Sequence, residues 1–258
     1  MSAITLTYCD KGENHIHMEQ IGVLSDEGFT FGELKEVQEN FGGDLTELEC
    51  IRETDGKKIV NLIEKKAYLL IIRDGVNKLI DSRLAELKKE QFSLSPDKKA
   101  FMRGRVVNKH ARHNLCFADD GHPPDYENKK GTVIAYDTVP LTKLLRQRIA
   151  SLLPEKCKDL VCEGNYYYDV KKCGIGFHGD AERRKVIGVR LGDSIPLHFQ
   201  WFYKNKAVGK RIEVVLNDGD MYIMSDKAVG FDWKNYNILS LRHAAGCPKF
   251  LEIIKVKF

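Results

Sequence analysis

No two of the seven cysteines, at positions 9, 50, 116, 157, 162, 173 and 247, stand in a Cys-x-x-Cys pair. A structural zinc module needs such close ligand pairs, so that class is excluded, and scattered thiols in odd number read as reduced cysteines. No apolar run approaches the roughly 20 residues that a membrane-spanning helix requires. The opening MSAITLTYCDKGENH also lacks the basic and apolar regions of a secretion signal. An intracellular protein of the cytoplasm or nucleus, without a membrane partner, is the expectation. Internal repeats and low-complexity segments are absent. A large charge imbalance is missing too: net charge is +4 over 258 residues, which does not by itself announce nucleic acid.

What is present is ordinary globular composition, with 43% hydrophobic and 30% charged residues, enough for a real core in one large domain or one domain with a small partner. AITLTY alternates as a strand does. TFGELKEVQENFG predicts a helix whose Phe31, Leu34, Val37, Gln38 and Phe41 share a face and which Gly42-Gly43 stops. KKIVNLIEKK reads as a strand or short helix. AYLLIIRDGV reads as a buried strand ending in a turn, and NKLIDSRLAELKKEQF as one amphipathic helix. PLTKLLRQRIASLLP predicts a helix with Pro140 in its first turn and Leu141, Leu144, Leu145 and Ile149 as its apolar stripe. From Leu160 the texture changes to eight short strands between turns, the last being LEIIKVKF. That spacing suggests an antiparallel barrel or jelly roll.

Chemistry is concentrated in GIGFHGD, residues 174–180. His178 and Asp180 stand two apart at the end of a strand, so both side chains project to the same side. Together they form the first part of a two-histidine, one-carboxylate metal site, in which neutral nitrogens and one hard anionic oxygen occupy a single face of Fe(II). An ordinary polar turn produces the same triplet, so its context has to decide.

The context GNYYYDVKKCGIGFHGDAE resembles the core of the AlkB-like branch of the Fe(II)/2-oxoglutarate-dependent dioxygenases. The matching residues are Asn165, Tyr167, Ile175, Gly176, His178, Asp180 and Glu182. VIGVRLGD, HFQW, NDGDMYIMS and NILSLRHA are similar to later strands of that family, and the likeness covers about residues 67–258. It implies an α+β fold with a double-stranded β-helix (jelly-roll) core and supporting helices. Residues 66–258 would form the dioxygenase domain, with a lid-like segment at about 98–137 and a barrel core at about 160–258. Residues 1–65 remain a small N-terminal α/β extension of unknown role. The cofactors implied are Fe(II) and 2-oxoglutarate. His178 and Asp180 would bind iron, and Asn165 and Tyr167 would hydrogen-bond 2-oxoglutarate. Arg242 would pair with one of its carboxylates, since a guanidinium fork suits a carboxylate. Against these roles stand a tyrosine-rich strand with satisfied hydroxyls and a surface arginine.

One departure from the family pattern concerns the third ligand. A second histidine is expected soon after the Gly-Asp strand, but MYIMSDKAVGFDWKNYN, residues 221–237, contains none. Three accounts remain open. His243 supplies the nitrogen, although alternation sends it and Arg242 to opposite faces unless the strand bulges. Asp232 supplies a second carboxylate. Or the site is degenerate. His15 and His17 share a face near Glu13 and form a further pattern able to hold a metal.

The resemblance points to hydroxylation or oxidative demethylation of a modified base in DNA or RNA. A base must be single-stranded or flipped out to be reached. Lys98, Lys99, Arg103, Arg105, Lys109 and Arg112 lie in an acid-free run that could follow phosphates, or be a solvated basic face. Glu182, Arg112 and His113 are candidate substrate contacts. Trp201, Phe202, Tyr203 and Trp233 are candidate stacking surfaces or core. Other readings are a non-catalytic nucleic-acid-binding barrel and a protein-directed hydroxylase. A monomer is expected.

Overall fold

The computed structural model describes residues 1–52, 56–58 and 65–253. β1 (Ala3–Cys9) leads into a small hairpin of β2 (Lys11–Glu13) and β3 (Gln20–Gly22). α1 (Phe31–Phe41) opens on a capping box: the Glu33 amide donates to Thr30 Oγ1, and the Thr30 amide donates to the Glu33 carboxylate. β4 (Asp44–Glu47) and β5 (Tyr68–Ile72) follow, then α2 (Gly75–Leu79) and α3 (Leu84–Ser93). β6 (Lys99–Met102) and β7 (Arg105–Asn108) form a second hairpin. It turns on Arg103 and Gly104, both with positive φ, as a tight two-residue hairpin turn demands. β8 (His113–Ala118) and β9 (Val133–Ala135) precede α4 (Pro140–Ala150) and α5 (Pro154–Cys157).

The remaining strands are β10 (Val161–Tyr167), β11 (Gly174–His178), β12 (Val186–Gly192), β13 (Leu197–Tyr203) and β14 (Lys206–Val214). After β15 (Met221–Met224) a short α6 (Asp226–Val229) intervenes before β16 (Ser240–Gly246).

Helix prediction held where a terminus signal and periodicity agree, Gly42 after α1 and Pro140 in the first turn of α4. The single helix expected over 77–92 is instead two, because Asp81 and Ser82 between them take positive φ, which no α-helix continues through. Phe31, assigned to the buried face of α1, is nearly half exposed and lies against the Tyr68 ring. KKIVNLIEKK lies largely outside the described residues, as does the end of LEIIKVKF.

The result is a mixed α+β fold dominated by sheets. Eight strands form one sheet in the order β4-β5-β15-β12-β1-β10-β8-β9, and β11-β16-β13-β14 form a second. Each large-sheet strand sends alternate residues to opposite faces. Ile4, Leu6, Tyr8, Phe117, Ile187, Val189 and Ile223 pack on one face against Leu34, Leu87, Leu141, Leu145 and Ile149 of the helices. The other face packs on the small sheet, where Leu69, Ile71, Val186 and Met224 meet Leu197, Phe199, Trp201 and Leu241. The two sheets face each other as separate layers and do not close into the barrel that strand spacing suggested.

β1 has an unexpected place. It pairs along its whole length with β10 on one side and β12 on the other, Thr5 lying opposite Asn165 and Arg190. Residues 1–65 therefore supply a central strand of the principal sheet. The segment read as lid-like likewise supplies β8, whose Leu115 and Phe117 are fully buried next to β10. No helix among the described residues is long and apolar enough to cross a membrane.

Candidate metal centre

Between the facing sheets lies a cavity of about 670 Å³. The large sheet contributes Thr5, Glu163, Asn165, Tyr167, Arg190 and Tyr222, and the small sheet contributes residues 175–178 and His243. β11 and β16 are neighbours, and their register sets His178 directly opposite His243. The two rings meet edge to face, 4.5 Å between centroids. Asp180 follows two residues after His178. Its Oδ1 lies 3.4 Å from His178 Nε2 and 3.7 Å from His243 Nε2. Ligand atoms of the three residues all fall within 4.8 Å of one another, so His178, Asp180 and His243 form a group that could hold a metal ion. No other such group exists among the described residues, and His15 and His17 reach only the cavity wall.

The surroundings prepare this group for a cation. His178 Nδ1 is 2.8 Å from the Gly176 carbonyl oxygen, a contact that fixes the ring and leaves Nε2 free to ligate. Burial pushes the His243 imidazole down to about 4, so it stays neutral near pH 7, as a ligand must. Burial would raise Asp180, but Arg183, His243 and His178 together hold its carboxyl well below the usual range. Gly179 between them has a steric reason: a Cβ there would collide with the Gly230 carbonyl and the Trp233 side chain.

Neutral burial of His243 has a measurable consequence. Between its ordinary value near 6.5 and about 4, the unfolded chain binds a proton that the folded chain refuses. Metal-free protein should therefore lose stability as pH falls through that window, by up to about 1.4 kcal/mol per unit. Denaturant titrations at several pH values should give a shallower slope for His243→Gln.

Behind the metal group sits a buried ionic network. Arg183 Nη2 donates to Glu163 Oε2 (2.5 Å) and to Glu182 Oε1 (2.8 Å), and its Nε lies 3.9 Å from Asp180 Oδ2. Asn165 Nδ2 donates to Glu163 Oε1, while Asn165 Oδ1 accepts from Arg112 Nε and Asn114 Nδ2. Asn165, Tyr167, Glu182 and Arg112 all line the cavity. Asn165 is already engaged through both ends of its amide.

Two expected contacts are displaced. Arg242, assigned to a 2-oxoglutarate carboxylate, does not reach the cavity. Its guanidinium lies over Phe202 at 4.2 Å and Trp233 at 5.0 Å, and Nη2 donates to Asn205 Oδ1. The reason is strand alternation: β16 pairs with β13 without a break here, the irregularity in its pairing with β11 falling on the β11 side, so a buried His243 turns Arg242 to the opposite face. His113 is displaced in the same way. Asn114 points into the cavity wall, and His113 stacks instead on Tyr168, 4.6 Å away. Asp232, the alternative ligand, is held by Lys227 at 2.6 Å. Trp201 is core, its Nε1 donating to the Leu48 carbonyl, whereas Trp233 lines the cavity.

Sequence reasoning missed Arg190, Thr5 and the hairpin residues Lys11, Glu13 and Gln20 that also line the cavity. Arg190 did leave a signal, a single charge inside the apolar strand VIGVRLG.

Fold and site together define an α+β protein of helices and two facing sheets with a His-Asp-His group that could hold a metal. No family model matches the chain. It is 45% identical over 250 residues to "Uncharacterized protein R156" of Acanthamoeba polyphaga mimivirus, a match spanning 96% of this chain and 97% of that protein. The chain belongs to the family of that viral protein. So long a match cannot leave residues 1–65 outside the shared unit.

Proposed function

We propose that the protein is an Fe(II)/2-oxoglutarate-dependent dioxygenase of the AlkB-like type, acting on a modified base in DNA or RNA. The observation that carries this reading is the convergence of His178, Asp180 and His243 at one side of a cavity large enough for a cosubstrate and a substrate group. Two imidazole nitrogens and one carboxylate are a donor set that fits Fe(II) and would leave coordination positions open. Bound there, the iron would supply dioxygen-dependent oxidation of a C–H bond, with 2-oxoglutarate as co-reductant. The chain's own residues would hold and orient it: His178, Asp180 and His243 would ligate, Arg183 keeps Asp180 ionised, and the facing sheets shield the site from bulk water.

Strand order supports a jelly-roll core. From β10 to β16 the chain crosses between the sheets at every step but one, the β13–β14 hairpin, with β10, β12 and β15 in one sheet and β11, β13, β14 and β16 in the other. On this reading the seven strands would fill seven places of an eight-stranded double Greek key. β1 from the N-terminal region, which lies between β10 and β12, would take the eighth.

A nucleic acid substrate is supported by the hairpin of β6 and β7. Lys98, Lys99, Arg103 and Arg105 are exposed and have no ion pair among the described residues. The segment runs on through Lys109, which donates to Asn14 Oδ1 and Asn114 Oδ1, to Arg112 in the cavity wall. Phosphates along the hairpin would thus lead a strand toward the site. Exchanging all four exposed cations for glutamine should weaken binding of a single-stranded oligonucleotide. It should also flatten the slope of log affinity against log salt by about 2 to 3, at roughly 0.7 per lost phosphate contact.

The activity test incubates protein, Fe(II) and 2-oxoglutarate with methylated single-stranded oligonucleotides and follows succinate and base mass. Succinate release coupled to a changed base, absent in His178→Ala, is expected. Turnover with a peptide substrate alone would shift the reading to a protein hydroxylase.

A further inference from the structure

On the large-sheet wall of the cavity, Arg190 is 1% exposed, and its Nε and Nη1 have no hydrogen-bond partner among the described residues. No carboxylate among the described residues is paired with it. The nearby Asp220 side chain is taken by Arg73 Nη1 and by the amides of Asp74 and Asn217, and only the Asp220 carbonyl meets the Arg190 amide. The groups that act electrostatically on the guanidinium are two phenols, Tyr167 and Tyr222. Tyr222 comes close because Gly188, its partner on β12, has no Cβ to collide with the ring.

Thr5 faces the same space. It lies directly opposite Arg190 in the β1–β12 register, 6% exposed, and its Oγ1 also lacks a partner. Neighbouring strands thus bring an unsatisfied guanidinium and an unsatisfied hydroxyl to one side of one cavity. A guanidinium offers only donors, in a planar fork matched to two oxygens. A buried cation without a counter-charge is strongly unfavourable, and an anion bound beside it relieves that penalty. Apolar Val186, Leu197 and Met224 line the same cavity and suit a short methylene chain.

We propose that Arg190, assisted by Thr5, is the seat for one carboxylate of a short acyclic dicarboxylic acid whose other end faces His178, Asp180 and His243. Naming that acid as 2-oxoglutarate rests on the dioxygenase reading; the seat itself does not. Arg190 then takes the part first assigned to Arg242, and it does so from a different strand. The seat also gives the N-terminal strand a role in ligand binding through Thr5.

Calorimetric titration tests the seat without recourse to activity. Succinate and 2-oxoglutarate are added separately to Mn(II)-loaded wild type, Arg190→Met, Arg190→Lys, Thr5→Val and Arg242→Met. Wild type should bind both acids, 2-oxoglutarate more tightly. Arg190→Met should weaken both by roughly 10- to 100-fold, the loss of a charge-assisted hydrogen-bonded pair. Arg190→Lys should retain part of the affinity, Thr5→Val should lose several-fold, and Arg242→Met should match wild type. Unchanged Mn(II) affinity in Arg190→Met shows that the cavity remains folded; were that variant to misfold, Arg190→Lys and Thr5→Val carry the same comparison. Equal 2-oxoglutarate affinity in wild type and the Arg190 variants overturns the seat and leaves the dioxygenase reading standing. Arg190-dependent succinate binding with no gain from the keto group upholds the seat and removes 2-oxoglutarate as its ligand. Failure of wild type to bind either acid overturns the seat.

Discussion

Asp180→Ala should abolish the stabilisation that Mn(II) confers on the wild-type protein. A ligand that binds only the folded state stabilises it by about 2.7 kcal/mol at a hundred times its Kd. For a chain of this size that corresponds to a rise in Tm of about 5–10 °C. Asp180 Oδ1 is the hub of the group, within 3.7 Å of both imidazole nitrogens, and it is the only anionic ligand. Without it, two imidazole nitrogens remain with no anionic partner, and the shift should disappear. Each protein is compared with and without metal, so any effect of the substitution on folding cancels. A full Mn(II) shift in Asp180→Ala would mean that the cation sits elsewhere.

Arg183→Met should produce the largest loss of stability of any single change near the site, about 3–5 kcal/mol. Arg183 is 4% exposed and is the shared partner of Glu163 and Glu182, with Asp180 close by. Its removal leaves buried carboxylates without a counter-charge. Arg184→Met is the control. That side chain lies on the partly exposed Asp226 and over the Phe231 ring, and its loss should cost no more than about 1 kcal/mol. The Arg183 effect also has a pH signature. Glu163 and Asp180 have carboxyls held below their ordinary values, so their contribution is complete above about pH 4 and fades as pH falls through the lower folded values. Chemical denaturation at pH 7 and at pH 3 should show the gap between Arg183→Met and wild type narrowing in acid.

How much of this was legible in the sequence follows from how local each feature is. His178 and Asp180 stand two apart, and their motif is complete within seven residues. His243 lies 65 residues further on, and only the pairing of β11 with β16 brings it opposite His178. Alternation did signal that Arg242 and His243 could not share a face; which of them turned inward was decided by the register. The same rule turned Asn114 inward and His113 outward. β1 was readable as a strand, but not as the strand between β10 and β12, because its partners lie more than 150 residues away. Arg190 and Thr5 acquire meaning only through that pairing.

The most direct test of the central claim is anaerobic titration of the protein with Fe(II) and 2-oxoglutarate, following the visible charge-transfer absorption of the chelate. Wild type should develop the band with one equivalent of each, and His243→Ala should lose it or need far more iron. No band in wild type, or an identical band in His243→Ala, would contradict the assignment of His178, Asp180 and His243 as the iron site.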